Sequence, residues 1–84
     1  MAFYKVLYWL NIPSQIKAWD DFDEVKIEMP PRFMVKIDQV AKEKGLTDNE
    51  EYLAQWNWSE EFETDGDPEV VAEKIKNELE EKFK

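Results

Sequence analysis

The sequence predicts an α+β fold of two layers, in which an antiparallel sheet of about four strands carries helices packed on one face. Two kinds of pattern support this prediction. Stretches rich in β-forming residues predict strands at 3–10, 14–20, 24–29 and 56–63, and polar and apolar residues alternate in the last two. Apolar residues at helical spacing predict longer helices at about 32–44 and 68–83. With a short helix before the last strand, the order is β-β-β-α-α-β-α.

The first predicted strand, 3–10, is apolar on both sides. Its two faces comprise Tyr4, Val6, Tyr8 and Leu10 on one side, and Phe3, Leu7 and Trp9 with Lys5 on the other. Two apolar faces predict a central strand. Pro13 is predicted to end the strand, because proline has no N–H to donate to a ladder.

The next two strands differ in their patterns. The second, 14–20, runs into a polar turn around Phe22. The third, 24–29, alternates cleanly, which predicts one buried face carrying Val25, Ile27 and Met29.

The helix ends carry recognisable signals. Gly45 fits the position after the end of the first helix, with Leu46 as its hydrophobic contact. The stretch 47–50 matches a capping box that opens a short helix through about Ala54. Asp67 and Pro68 fit the N-cap and first position of the last helix. Between these helices, Glu60 interrupts the alternation of the fourth strand, which predicts an end or bulge there.

Composition bounds the function. The 84 residues predict a single domain, 1–84, with a net charge of −9. The chain has no cysteine and no histidine, which excludes thiolate nucleophiles, His-based triads and Cys/His zinc sites. The charge disfavours binding to nucleic acid and to anionic membranes, and no apolar run approaches the roughly 18 residues of a membrane span. We therefore expect a cytoplasmic protein.

No pattern predicts chemistry. The acidic runs at 20–24 and 60–67 lack the ligand spacing of a calcium loop, so no metal and no cofactor is expected. No pair of carboxylates is marked as catalytic. The sequence therefore predicts a protein that is not an enzyme.

Two kinds of residue remain as candidates for an interaction face. The aromatic rings exceed what one covered sheet face can hold, so some are expected to be exposed, where rigid rings serve as anchors. Arg32 is the single arginine, and it allows two interpretations: an anion site at a helix start, or an ion pair with an acidic side chain. The candidate residues are Tyr8, Trp9, Trp19, Arg32, Trp56 and Trp58.

Three segments together resemble a small bacterial virulence factor domain family, which is similar to the N-terminal region of the conserved virulence factor C proteins. They are "YWLNIPSQIKA" at 8–18, "PPRFMVKID" at 30–38 and "YLAQWNW" at 52–58. The resemblance implies an association with bacterial virulence and no defined biochemical activity. The longer relatives join this domain to helical repeats, which implies a binding or regulatory module.

Two functions are therefore carried forward. The first is a non-enzymatic protein-interaction module that binds an unknown protein partner or a second copy of itself. The alternative is a small-ligand or anion-binding domain centred on Arg32 and neighbouring aromatic rings, which predicts a concave pocket there.

Overall fold

The computed structural model describes residues 1–83 and confirms the α+β fold. The strands are β1 (Ala2–Trp9), β2 (Ile12–Trp19), β3 (Glu24–Glu28), β4 (Trp56–Trp58) and β5 (Phe62–Thr64). The helices are α1 (Pro31–Glu43), α2 (Asn49–Ala54) and α3 (Pro68–Lys82). The chain order matches the prediction, except that the predicted fourth strand is two short strands.

The sheet is antiparallel, with β1 inside it as predicted. The order is β3-β2-β1, and β4 and β5 pair one after the other with the free edge of β1. The ladder is interrupted between them, where Ser59 takes over the pairing. The Ser59 N–H donates to the Val6 carbonyl at 2.8 Å, and the Val6 N–H donates to the Ser59 hydroxyl at 2.9 Å. The predicted interruption near Glu60 is therefore present.

The hairpin between β1 and β2 corrects the predicted role of Pro13. The chain turns at Leu10 and Asn11, where Leu10 has a φ of 55°. Pro13 lies inside β2, opposite Tyr8, and its side chain is fully buried. The register shifts between Leu7 and Tyr8, and an irregularity of this kind accommodates a residue that lacks an N–H.

The core lies between the sheet and the two longer helices. On the strands it includes Val6, Ile16 and Ala18. Val6 on β1 pairs with Ile16 on β2, and Ala18 lies two residues after Ile16, on the same face of the sheet. The helices contribute the apolar stripes Phe33, Ile37 and Ala41 from α1, and Val71, Ala72 and Leu79 from α3. The opposite face of the sheet is left without these helices.

The helix ends follow the sequence closely, with one exception. After α1, Gly45 has a φ of 72°, and the Leu46 N–H donates to the Ala41 carbonyl at 2.8 Å, as the predicted glycine cap requires. The short helix α2 begins one residue later than the predicted capping box. Its N-cap is Asp48, whose carboxylate accepts the Glu50 N–H at 3.0 Å.

Candidate functional site

The sheet face away from α1 and α3, hereafter the open face, carries three rows of side chains set by strand register. The first row is Glu63, Phe3, Trp19 and Glu24. The second is Lys5, Lys17 and Lys26. The third is Trp58, Leu7, Gln15 and Glu28. All of these side chains are exposed or half-buried.

The central lysine row is held by aromatic rings and by one carboxylate. The Lys5 ammonium lies 4.6 Å from the centre of the Trp58 ring and 6.0 Å from that of Trp19. The Glu24 carboxylate forms salt bridges with the other two lysines, with Nζ–Oε1 distances of 3.7 Å to Lys17 and 3.8 Å to Lys26. Within residues 1–83, Lys5 forms no salt bridge, so its charge is balanced by ring faces alone.

Two of the predicted tryptophans belong to the open face. Trp58 is 42% exposed, and Trp19 is half-buried, stacked on Phe3 with ring centres 6.0 Å apart. These rings and the aliphatic stems of the lysines form a continuous mixed surface. Such a surface offers both apolar contact and positive charge.

Trp9 does not face outward, which corrects its place among the candidates. It is 0% exposed, and its indole N–H donates to the Tyr52 carbonyl at 2.8 Å. The Tyr52 ring packs on both Trp9, at 5.3 Å, and Trp56, at 6.2 Å. Helix α2 therefore covers this end of β1, where the Tyr52 ring is tilted against Trp9 and meets the half-buried Trp56 edge to face.

Tyr8 is half-buried against the core rather than presented on the open face. Its pKa is raised, first because burial disfavours the phenolate and second because Tyr4 is nearby. Tyr8 therefore stays a neutral phenol over the physiological pH range, consistent with a packing role.

Arg32 lies apart from the open face, at the meeting point of α1 and α3. Its guanidinium donates to the Phe83 carbonyl at 3.1 Å and to the Glu80 carbonyl at 3.3 Å. A cation at the C-terminal end of a helix is favoured by the helix dipole and satisfies carbonyls that lack helical partners. Within residues 1–83, Arg32 thus forms backbone contacts at the end of α3 and no ion pair with an acidic side chain, which was one of its two interpretations.

A concave hollow of about 630 Å³ opens beside Arg32, as the alternative hypothesis predicted. Its neighbouring rings are Phe33 and Phe83, rather than tryptophan or tyrosine. Asn11 and Ile12 line the hollow from the β1–β2 turn and the start of β2. The other lining residues belong to α1 and the residue after it (Lys36, Val40, Glu43 and Lys44) and to the last turn of α3 (Lys82).

Comparison with known proteins gives one match. The model of the virulence factor family matches residues 7–84. The chain belongs to the virulence factor family. No curated protein and no solved structure matches it.

The segments that carry the family resemblance meet around two features of this virulence factor domain. Trp9, Tyr52 and Trp56 come from the first and third segments and form the ring cluster under α2. Ile12 and Arg32 come from the first and second segments and line the hollow. These residues therefore build the fold as well as one candidate site.

Sequence reasoning missed two features of the virulence factor domain. The first is the lysine row, whose signal was a lysine on the same side of each of three strands. The second is Phe22, which is 90% exposed in the β2–β3 turn. The Asp20 carboxylate shapes that turn by accepting the Phe22 N–H at 2.8 Å and the Asp23 N–H at 2.7 Å. These two hydrogen bonds, first the one from Asp23, lower the pKa of Asp20.

Residues 1–83 also lack two features that would indicate other functions. They contain no group of three or more acidic side chains placed to hold a metal ion. None of their helices has the length and hydropathy needed to cross a membrane.

Proposed function

We propose that this virulence factor domain is a non-enzymatic, cytoplasmic protein-interaction module that acts in bacterial virulence. Its binding surface is the open face, and its partner is a protein segment whose carboxylates contact the lysine row. The observation that carries the proposal is the arrangement of Lys5, Lys17 and Lys26 in one cross-strand row between the exposed Trp58 and the half-buried Trp19.

The lysine row suits an acidic contact because it is electrostatically unfavourable by itself. Like charges directly opposite each other on neighbouring strands destabilise a sheet. Glu24 relieves this repulsion for Lys17 and Lys26, whereas Lys5 contacts ring faces and has no carboxylate partner within residues 1–83. A carboxylate brought by a partner would relieve the remaining repulsion, so part of the binding free energy comes from the row itself.

The charge distribution over the molecule supports this choice of surface. The open face holds three lysines and three glutamates and thus has no net formal charge, in a chain whose net charge is −9. Its positive groups are in the central row and its carboxylates at the ends of the outer rows. An acidic segment is therefore repelled less at this face than by the acidic molecule as a whole, and the central lysines orient it.

The aromatic residues supply the apolar part of the contact. Trp58 is 42% exposed beside Leu7, and Trp19 lies across the lysine row. Tryptophan is enriched among the residues that dominate binding at protein interfaces, because one rigid ring buries a large area. We therefore expect Trp58 to be the main anchor and the lysines to set the orientation.

Photo-crosslinking from the open face tests the proposal. Gln15, in the row next to the lysines, is replaced by p-benzoylphenylalanine, and the protein is irradiated inside cells of its source. A matched protein carries the same amino acid at Lys74, an exposed position on α3. We expect one crosslinked protein from position 15 and not from position 74, with the crosslink in an acidic segment.

Charge reversal decides whether the lysine row causes this binding. The pair Lys17→Glu and Lys26→Glu should reduce the crosslink at least tenfold, whereas Lys74→Glu with Lys76→Glu, which changes the net charge equally, should leave it within twofold. A crosslinked segment without carboxylates, or equal losses in both pairs, would refute an acidic contact. A crosslink to a second copy would identify the chain itself as the partner.

A second candidate function, binding of a small ligand or anion at Arg32, is favoured by a different observation. The hollow beside Arg32 is concave, lies behind the sheet from the open face, and is lined by basic residues on two helices. It is thus separate from the proposed protein-binding surface.

A further inference from the structure

We propose that the hollow beside Arg32 binds an amphipathic organic anion, with its acidic head at the basic rim and its apolar body against the half-buried side chains of Val40 and Phe83. The inference rests on the second candidate function above and adds the chemical class of the ligand. It is independent of what the open face binds.

The rim of the hollow is rich in basic residues. The sequence has 11 basic residues, of which Lys84 lies outside the described chain, leaving ten. Four of these ten line the hollow, against one carboxylate from Glu43. They are Arg32, Lys36, Lys44 and Lys82. In a chain of net charge −9, such a concentration makes the hollow a positive site on an acidic molecule.

The position of these cations follows from the helices. Arg32, Lys36, Val40 and Lys44 recur every four residues along α1 and just beyond its end, so they form one stripe beside the core stripe of Phe33 and Ile37. Lys82 comes from the last turn of α3. Two helices thus bring their basic groups to one opening.

Arg32 is already oriented for an anion. Two of its five N–H groups are used by the Phe83 and Glu80 carbonyls. The guanidinium also lies over the Phe33 ring, with its central carbon 4.6 Å from the ring centre. These contacts fix the plane of the group, which reduces the entropy lost on binding, and within residues 1–83 they leave three N–H groups for an acceptor.

The apolar lining determines the class of ligand. Ile12, Phe33, Val40 and Phe83 all contribute to the hollow. The Phe33 and Phe83 rings meet edge to face with centres 6.3 Å apart. A volume of about 630 Å³ lies within the range of pockets that enclose small organic molecules. An inorganic anion would leave the apolar lining in contact with water, whereas a carboxylate, phosphate or sulfonate on an aryl or alkyl body uses both parts.

The test uses 8-anilinonaphthalene-1-sulfonate, an aryl sulfonate that fluoresces when it leaves water. We expect saturable binding to the full chain that is weakened at least fivefold by Lys36→Glu. Lys74→Glu, an equal charge change at an exposed site on α3, should leave the affinity within twofold. Trp58→Ala, which alters the open face, should also leave it unchanged. Circular dichroism confirms that each variant is folded.

Displacement of the probe separates the ligand classes. We expect decanoate to displace it, and neither decanol nor inorganic phosphate to do so at the same concentration. If phosphate displaces the probe as well as decanoate does, the anion site stands and the amphipathic class is wrong. If decanol is as effective as decanoate, the charge is irrelevant and the inference is overturned. If Lys36→Glu and Lys74→Glu bind the probe equally, the hollow is not the site, and the second candidate function fails with the inference.

Discussion

Replacing Trp9 with phenylalanine should lower the free energy of unfolding by about 2–3 kcal/mol. Trp9 is 0% exposed, so the smaller ring leaves a cavity that the surrounding side chains fill only in part. The change also removes the 2.8 Å hydrogen bond from the indole N–H to the Tyr52 carbonyl. A domain of this size has a total stability of only about 4–12 kcal/mol, so the loss is a large part of the whole.

Urea unfolding followed by circular dichroism measures this effect. The matched control is Trp58→Phe, the same chemical change at a ring that is 42% exposed and donates no hydrogen bond within residues 1–83. It should cost less than about 1 kcal/mol, chiefly through its contact with Lys5. Equal losses in the two variants would contradict the assignment of Trp9 to the core and Trp58 to the surface.

Ser59→Ala should destabilise the protein by about 1–2 kcal/mol. The Ser59 hydroxyl accepts the Val6 N–H at 2.9 Å and donates to the Glu60 carbonyl at 2.9 Å, where β4 and β5 leave a gap in the ladder. Val6 is buried, so alanine would leave its N–H without this acceptor. A buried donor that loses its acceptor costs more than an exposed one, because water cannot replace the bond.

Hydrogen exchange at the Val6 amide, together with the urea midpoint, reports this change. We expect faster exchange at Val6 and a lower midpoint. Ser14→Ala is the control, since the hydrogen bond that the Ser14 hydroxyl makes within the described residues is an exposed, long one to the Met34 sulfur at 3.9 Å. If Ser59→Ala were no more costly than Ser14→Ala, the serine would not be the link that joins β4 and β5 to β1.

Local patterns sufficed for most of the fold. The clean alternation of 24–29 predicted β3, and Gly45 marked the end of α1 because its left-handed backbone suits glycine. The fold class follows from the order of such elements. The interruption at Glu60 was also visible, although the role of Ser59 in bridging it depends on its partner Val6, which is 53 residues away.

The errors arose where pairing or packing between elements decides the outcome. Trp9 alternates with residues of the open face, and what buries it is Tyr52 from a short helix 43 residues later. Pro13 was predicted to stop a strand, but a shift in register at Leu7 and Tyr8 admits it into β2. Neither contact has a signal in the local sequence, because each depends on how the elements pack.

The candidate site was predictable only in part, because it too depends on how the elements pair and pack. Trp19 and Trp58 were singled out by composition, and the structure places both on the open face. The alignment of Lys5, Lys17 and Lys26 needs the register of three strands, which no single segment specifies. Arg32 was noticed as the single arginine, while its contacts with the end of α3 join residues about 50 positions apart.

The proposed function requires that the open face is the binding surface and that Trp9 is not part of it. Fluorine NMR of protein labelled with 5-fluorotryptophan tests this most directly, with the four signals assigned by single Trp→Phe changes. The probe is a synthetic peptide of the acidic segment crosslinked from position 15. On its addition, the account predicts shifts of the Trp58 and Trp19 signals while the Trp9 signal stays in place. Shifts confined to Trp9 and Trp56, or an equal response of all four rings, would contradict it.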